Sequence, residues 1–386
     1  MRLVIDGRGL RSGRTGPGRY LEVLLREWAG SGPPLAETIV ILADRSGLDL
    51  FPETEAIRAE VVGEGWPGPI WERFALGRAL RDGDLLFAPT GLIPASWRGP
   101  SILLAFDTLM EVQPDSVPAH VRWLFRGRRR RDSLRAARVL TPSQANWRDV
   151  AKFHGVPADR LRVVHPAVDA SFRPQGPRSA EVLAARSRLG LGSDPFFLCV
   201  GRPARHRNIP AILDAFAIHR ASHPGHRLVF AGPGHRRAAS DGIINAGHVD
   251  DATLRGLMAD AVALLRPSEY EGFGLPVAEA LACGCPAITL RRGGLAEAGG
   301  DAAWFLDEAD PRDMAGAMHV LATDVAARAA RMSRGFSHAA RFRPARFADQ
   351  VRAEIRDVAG LHAPALRGPI SGRAAGRRAE ARRRAR

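Results

Sequence analysis

The run Arg266-Pro267-Ser268-Glu269-Tyr270-Glu271-Gly272-Phe273-Gly274-Leu275-Pro276-Val277-Ala278-Glu279-Ala280 carries the strongest chemistry in this sequence. It follows an apolar stretch with strand character. Gly272 and Gly274 let the backbone turn tightly and approach a ligand closely. Pro276 suits the first position of a helix, where its missing N–H would be unpaired in any case. The N–H groups near Gly274, Leu275 and Val277 would then face outward with the positive end of the helix dipole, an anion site suited to a diphosphate. Glu271 stands before the turn, and Glu279 is expected in the first helical turn, eight positions on. Carboxylates placed directly on a diphosphate would repel it. On either side of it they suit sugar hydroxyls. A lone Gly-x-Gly would read as an ordinary turn with a capping acid; the whole run reads as a ligand site.

A second run, Val200-Gly201-Arg202-Pro203-Ala204-Arg205-His206-Arg207-Asn208, also joins a strand to a helix. Arg202 and Arg207 can reach a diphosphate from one loop, and guanidinium suits bidentate phosphate contacts. Arg205 is a third candidate. The glycine-rich Gly13-Arg14-Thr15-Gly16-Pro17-Gly18-Arg19-Tyr20 links the first strand to the first helix. In Gly247-His248-Val249-Asp250-Asp251, Asp251 reads as the cap of a helix over 252–259. Gly232-Pro233-Gly234 is expected nearby as a loop.

These loops need a scaffold. Continuous apolar runs at 3–5, 38–43, 85–88, 101–106, 138–141 and 161–165 read as buried strands. The intervening stretches 20–29, 70–80, 118–137 and 144–154 read as helices. That alternation predicts a parallel sheet covered on both faces. Phe172-Arg173-Pro174-Gln175-Gly176-Pro177 reads as a linker. The pattern then restarts, with strands at 196–200, 228–231, 243–246, 262–265, 287–289 and 303–306. Helices are expected at 210–220, 252–259, 276–282, 312–321 and 345–358. The expected fold is α/β, with two doubly wound Rossmann-like domains facing each other across a cleft. Their boundaries are expected at 1–172 and 173–363. The terminal helix of the second is expected to pack back on the first, and a disordered tail follows at 364–386.

Composition narrows the class. The 386 residues are 45% hydrophobic and 25% charged, which excludes chain-wide disorder. Three cysteines make no paired framework, so buried thiols are expected. No signal peptide or spanning helix is visible, so the protein is expected to be cytoplasmic, with peripheral contact at the inner face of the membrane. The net charge of +15 sits mostly in two clusters. Residues 119–138 hold eight Arg and one Asp, and 367–386 hold eight Arg and one Glu. The first cluster, beside Trp123, Leu124 and Phe125, reads either as a helix lying on anionic lipid or as a solvated arginine face. Both readings stay open on the sequence. The tail is a further candidate lipid contact.

The glutamate-bearing run resembles the signature of retaining glycosyltransferases of the glycogen-synthase-like superfamily, glycosyltransferase family 4. The resemblance continues through Ala282-Cys283-Gly284-Cys285-Pro286-Ala287-Ile288-Thr289 and through Gly293-Gly294-Leu295-Ala296-Glu297-Ala298-Gly299-Gly300-Asp301-Ala302-Ala303. It implies a GT-B enzyme that moves a hexose, mannose-like or other, from a nucleotide diphosphate sugar to a glycan or lipid-linked acceptor in surface polysaccharide synthesis. It implies that Glu271, Phe273, Gly274 and Leu275 hold the donor sugar and its phosphate, and that Glu279 holds the ribose. It implies that Arg202 and Arg207 grip the diphosphate, Arg207 standing where the family usually has Lys. It further implies that Gly16 and Gly18 belong to the loop that closes over diphosphate and acceptor, and that Val249 contacts the base. Asp107 orients the acceptor; Phe106 precedes it where many relatives have His. His165-Pro166-Ala167-Val168-Asp169 replaces the usual Asn-Gly-Val-Asp. Glu271, Arg202, Arg207 and Asp107 are thus the expected catalytic set. No metal ligand and no cofactor beyond the donor substrate are expected, and no specific nucleic-acid partner. Two alternatives remain on the sequence: a sugar phosphorylase or synthase on the same fold, and a basic nucleic-acid-binding protein.

Overall fold

The computed structural model describes residues 1–10, 16–43, 45–50, 54–235 and 242–361. Gly13, Arg14 and Thr15 of the glycine-rich loop, and the tail expected at 364–386, lie outside the described residues.

Seven strands form the first sheet: β1 (Leu3–Asp6), β2 (Thr38–Leu42), β3 (Ile57–Val61), β4 (Leu85–Ala88), β5 (Ser101–Leu104), β6 (Arg138–Thr141) and β7 (Leu161–Val163). Their spatial order is β3-β2-β1-β4-β5-β6-β7, parallel throughout. All residues of β1, β2, β4, β5 and β6 are buried, which is why these strands read as unbroken apolar runs. The sequence reading missed β3. Only its Ile57 is buried; Arg58 and Glu60 are exposed, as an edge strand permits.

The second sheet holds β8 (Phe196–Val200), β9 (Arg227–Ala231), β10 (Ile243–Gly247), β11 (Ala263–Arg266), β12 (Ala287–Leu290) and β13 (Trp304–Leu306). Their order is β10-β9-β8-β11-β12-β13, again parallel. The order reverses between β8 and β11, and in the first sheet between β1 and β4. Ligands of open parallel sheets bind at such switch points, beyond the carboxyl ends of the strands. The two runs richest in chemistry leave β8 and β11, immediate neighbours.

Helices Ala180–Arg188, Leu295–Gly299 and Val325–Ala339 were also not anticipated. Phe172, expected in a linker, is buried in the core of the second sheet with Val168 and Leu198. The last helix, Pro344–Leu361, returns to the first sheet. Phe347, Val351, Ile355 and Val358 recur at helical spacing and bury against Tyr20, Leu24 and Trp28. The Tyr20 and Phe347 rings meet edge-on, 4.5 Å apart. The three cysteines are buried and free.

Candidate functional site

Glu271 is the centre of a cage of two guanidiniums and an imidazole. Its Oε1 lies 2.6 Å from Arg266 Nη2 and accepts from Ser268 Oγ at 3.0 Å. Arg207 Nε stands 3.7 Å and His206 Nε2 3.9 Å from the same oxygen. Burial pushes the Glu271 carboxyl up, yet Arg266, Arg207 and His206 outweigh it and hold the group below its usual range. The cations feel the opposite pressure. Burial and the neighbouring Arg266 bring Arg207 down to about 10. Burial, Arg207 and Arg266 lower His206 as well. Two guanidiniums thus share one carboxylate, and the surplus positive charge is what an incoming anion would balance. Arg207 Nε, Arg266 Nε and His206 Nδ1 are buried without a hydrogen-bond partner, a state that costs stability until an acceptor arrives.

The strand ends impose this geometry. Arg266 closes β11 and donates through Nη1 to the Val200 carbonyl at the end of β8, 2.5 Å away. The Glu269 amide donates to the His206 carbonyl at 2.7 Å, and Asn208 Nδ2 to Glu269 Oε1 at 2.8 Å. The two loops are therefore one unit. Arg202 does not join the cage. Its side chain is exposed, and it takes part through its carbonyl, which accepts from Arg207 Nη1. Arg205 is likewise exposed.

Beyond Glu271, Gly274 caps the helix Leu275–Cys283 with φ +101°, a backbone that glycine adopts without strain. Pro276 is the second helical residue, not the first, and Glu279 falls one turn in, not in the first turn. The Val277 amide is already used, donating to the Gly274 carbonyl at 2.8 Å. Among the described residues the Gly274 and Leu275 amides have no backbone acceptor, so they are the ones open to an anion. The Phe273 ring is buried against Phe342, 5.1 Å away and edge-on, which leaves only its backbone for a ligand. Leu275 packs partly on the same core.

The motif loop is stitched to the first sheet. Ser143 Oγ donates to the Gly272 carbonyl at 2.6 Å. Tyr270 OH lies 2.5 Å from Thr108 Oγ1 and donates to Asp149 Oδ2 at 2.9 Å. A side chain at Gly272 would put its Cβ 2.1 Å from the Phe106 carbonyl and 3.1 Å from Asp107 Cα. Asp107 therefore faces the Glu271 loop. Its Oδ1 accepts from the Leu109 amide at 3.1 Å, and its side chain is 43% exposed. The Phe106 ring fills the space beside Gly16, where an added Cβ would meet it at 2.6 Å. Gly16 and Gly18 lie in the first turn of the helix Gly16–Ser31, and Gly18 is buried.

Two assignments change. Asp250, not Asp251, caps the helix Asp251–Asp260, its Oδ1 accepting from the Thr253 amide at 2.7 Å. Asp251 instead meets Arg19 Nη2 at 2.9 Å, and Arg19 Nη1 reaches Glu279 Oε1 at 2.5 Å. Val249, after β10, is half-buried on the second core. His165 meets Glu297 at 3.0 Å, and Glu297 also accepts from the Gln144 and Ala145 amides across the cleft.

Sequence reasoning passed over Arg266, His206 and Arg19. For Arg266 a signal was present: one charged residue ends an otherwise apolar strand. The basic helix is also less solvated than its composition implies. Within Ala119–Arg135, Arg128 pairs with Glu72, Arg129 bonds the Asp107 carbonyl, and Arg131 pairs with Asp132 at 2.9 Å. Among the described residues no group of three or more His, Cys, Asp or Glu is arranged to hold a metal ion.

Residues 194–324 match the family described as Glycosyl transferases group 1. The D-inositol 3-phosphate glycosyltransferase of Acidothermus cellulolyticus is 32% identical over 230 residues, 54% of this chain and 50% of that protein. The O-antigen chain mannosyltransferase B of Escherichia coli is 30% identical over 232 residues, 55% of this chain and 58% of that protein. The chain thus spans about half the length of the curated relatives it matches. The crystal structure of Anabaena Alr3699/HepE in complex with UDP-glucose superimposes with a TM-score of 0.72 at 18% identity, over 92% of this chain and 99% of that one. That likeness speaks for the fold. The Glu271 cage and Glu279 both fall inside the segment that matches the group 1 glycosyltransferases, and the chain takes the two-domain GT-B fold.

Proposed function

We propose that this protein transfers a hexose from a nucleotide diphosphate sugar to a hydroxyl of a glycan or lipid-linked acceptor, with retention at the anomeric carbon. The observation that carries the reading is the Glu271 cage: the buried Arg266 and half-buried Arg207 guanidiniums around one carboxylate, beside the open amides of Gly274 and Leu275. A diphosphate supplies the missing negative charge. Glu271 then lies next to the sugar, where its carboxylate orients hydroxyls and favours positive charge at the anomeric carbon. The bond from that carbon to the phosphate oxygen breaks, and a bond to the acceptor oxygen forms. The acceptor proton passes to the departing diphosphate, whose growing charge Arg207, Arg266 and the helix amides stabilise without rearranging. Asp107 faces the acceptor side.

The Escherichia coli relative is an O-antigen chain mannosyltransferase, and the Anabaena structure holds UDP-glucose. The first supports a role in surface polysaccharide synthesis, and the second a nucleotide sugar donor. An anionic membrane is a further partner in this reading. Trp123 is 87% exposed beside the arginines of its helix, and Trp66, Ile70 and Phe74 are exposed at helical spacing on the neighbouring segment. Among the described residues no helix is long and apolar enough to cross a membrane, so such contact would be peripheral.

The deciding experiment offers the purified protein a panel of UDP, GDP and ADP sugars and follows nucleotide release. Slow hydrolysis of one donor, abolished in Glu271→Gln, is the expected result. No release from any donor, with or without added glycan acceptors, overturns the reading.

A further inference from the structure

Arg19 belongs to the first domain, yet its guanidinium ends on the second. Nη1 lies 2.5 Å from Glu279 Oε1, and Nη2 lies 2.9 Å from Asp251 Oδ1. The planar group sits over the Phe172 ring, 5.7 Å from its centroid. Glu279 is only 3% exposed, so its charge is poorly solvated. Burial pushes the Glu279 carboxyl above its usual range; Asp251 and Asp169 add to that push, and among the described residues Arg19 opposes it. A buried carboxylate without its counter-charge tends to take up a proton.

We propose that Arg19 is a positioning residue of the donor site, which holds Glu279 ionised from across the cleft, keeping Oε1 for itself and leaving Oε2 for the ribose hydroxyls. This rests on the donor-site reading above. It ties nucleotide binding to contact between the domains, because the acid that meets the ribose belongs to one and its counter-charge to the other. Asp251 anchors the second nitrogen of the same guanidinium, so the fork cannot turn away while the domains touch.

The test measures binding of UDP, GDP and ADP, and of their 2′,3′-dideoxy counterparts, to the wild-type protein, Arg19→Ala and Arg19→Lys between about pH 6 and about pH 8. The wild type is expected to prefer its best ribonucleotide over the dideoxy form by roughly tenfold across that range. Arg19→Ala should lose that preference near the acid end and regain part of it near the alkaline end, as Glu279 ionises unaided. Arg19→Lys restores the charge and should keep most of the preference throughout. Thermal unfolding of all three proteins verifies that they are folded. If Arg19→Ala keeps the full preference at every pH, or binds nucleotide more tightly than the wild type, the proposal is overturned. Tighter binding would make Arg19 a competitor of the ribose. A wild type that treats the ribo and dideoxy forms alike points elsewhere: the ribose assignment of Glu279 then fails, and the proposal with it.

Discussion

Glu271 and Arg207 are held in states that each strains the other. One carboxylate faces two guanidiniums, Arg266 at 2.6 Å and Arg207 at 3.7 Å, with the His206 imidazole at 3.9 Å, so positive charge exceeds negative. Burial first, and then the neighbouring Arg266, lower Arg207. In the proposed site, removing Arg207 would delete a partly buried charge-assisted contact to diphosphate, worth about 1.5–3 kcal/mol. Arg207→Ala should therefore weaken binding of the cognate nucleoside diphosphate by roughly ten- to a hundredfold. Calorimetric titration of the folded variant measures it, and unchanged affinity would take Arg207 out of the site. Glu271→Gln should act in another direction. The amide keeps the packing but leaves the cations unbalanced, so diphosphate affinity should hold or rise while kcat falls, since the carboxylate matters most in the transition state. Glu279→Gln should mainly weaken nucleotide binding. Parallel measurement of Kd and kcat for both variants separates them; equal losses in binding alone would make Glu271 a ground-state ligand.

The loop 266–274 is shaped by what presses on it from the first domain. Gly272 leaves no room for a methyl group: its Cβ would lie 2.1 Å from the Phe106 carbonyl, a backbone atom. Gly272→Ala should force the domains apart there, at a cost of about 1–3 kcal/mol, and lower turnover strongly. A variant with wild-type melting temperature and turnover would show that this contact is not made. A second element carries a pH signature remote from the site. On the helix Ile209–Ser222, buried His219 lies 2.9 Å from His226, with His223 stacked beside it, and His223 meets His319 at 2.9 Å. Burial first, then His223, His226 and His319, bring His219 down to about 4, while Asp194 raises His226 in part. A histidine held neutral in the folded state contributes its full stability above its unfolded value. That stability is lost as pH falls toward the folded value. Acidification to about pH 5 should then cost about 1–2 kcal/mol through this group. His219→Gln should melt at a temperature that falls less between about pH 7.5 and about pH 5 than that of the wild type. Parallel curves would remove His219 as the source.

At the scale of the molecule, the proposed anion site is assembled from loops at the switch point of the second sheet and closed by loops from the first. Its positive charge comes from guanidiniums and helix amides, which leads to a prediction about metal. Transfer should persist in excess chelator. Activity that disappears with chelator and returns with Mg²⁺ or Mn²⁺ would mean that the diphosphate is met by a cation bound to the substrate and that the arginine site is wrongly drawn. The helix Pro344–Leu361 adds a covalent return to the first sheet, burying Phe347, Val351, Ile355 and Val358 there. The domains are thus linked by two segments, at 168–172 and at 342–344, and the Val168 amide donates to the Phe342 carbonyl where they run together, at 2.9 Å.

Much of this was readable along the chain, because the signals are local. Buried parallel strands are unbroken apolar runs, so β4, β6 and β8 fall where the pattern puts them. The turn through Gly272 and Gly274 follows from residues that adopt such backbones, and Glu271 was marked by its place before that turn. The edge strand β3 was hidden, since a strand paired on one side needs only one buried residue in five. Charge partners were hidden for a different reason. Arg19 and Glu279 are 260 positions apart, and nothing in the type of either names the other. Arg202 and Arg207 are equivalent as letters in an arginine-rich loop. Only the packing of β8 against β11 turns one of them onto Glu271 and leaves the other in solvent, and the same packing brings Arg266 beside it. Residue types and spacing dictate what a segment will form. Which charges meet depends on how the two sheets close on each other, because electrostatic partners are chosen by distance through space and by burial, neither of which is written in the order of the residues.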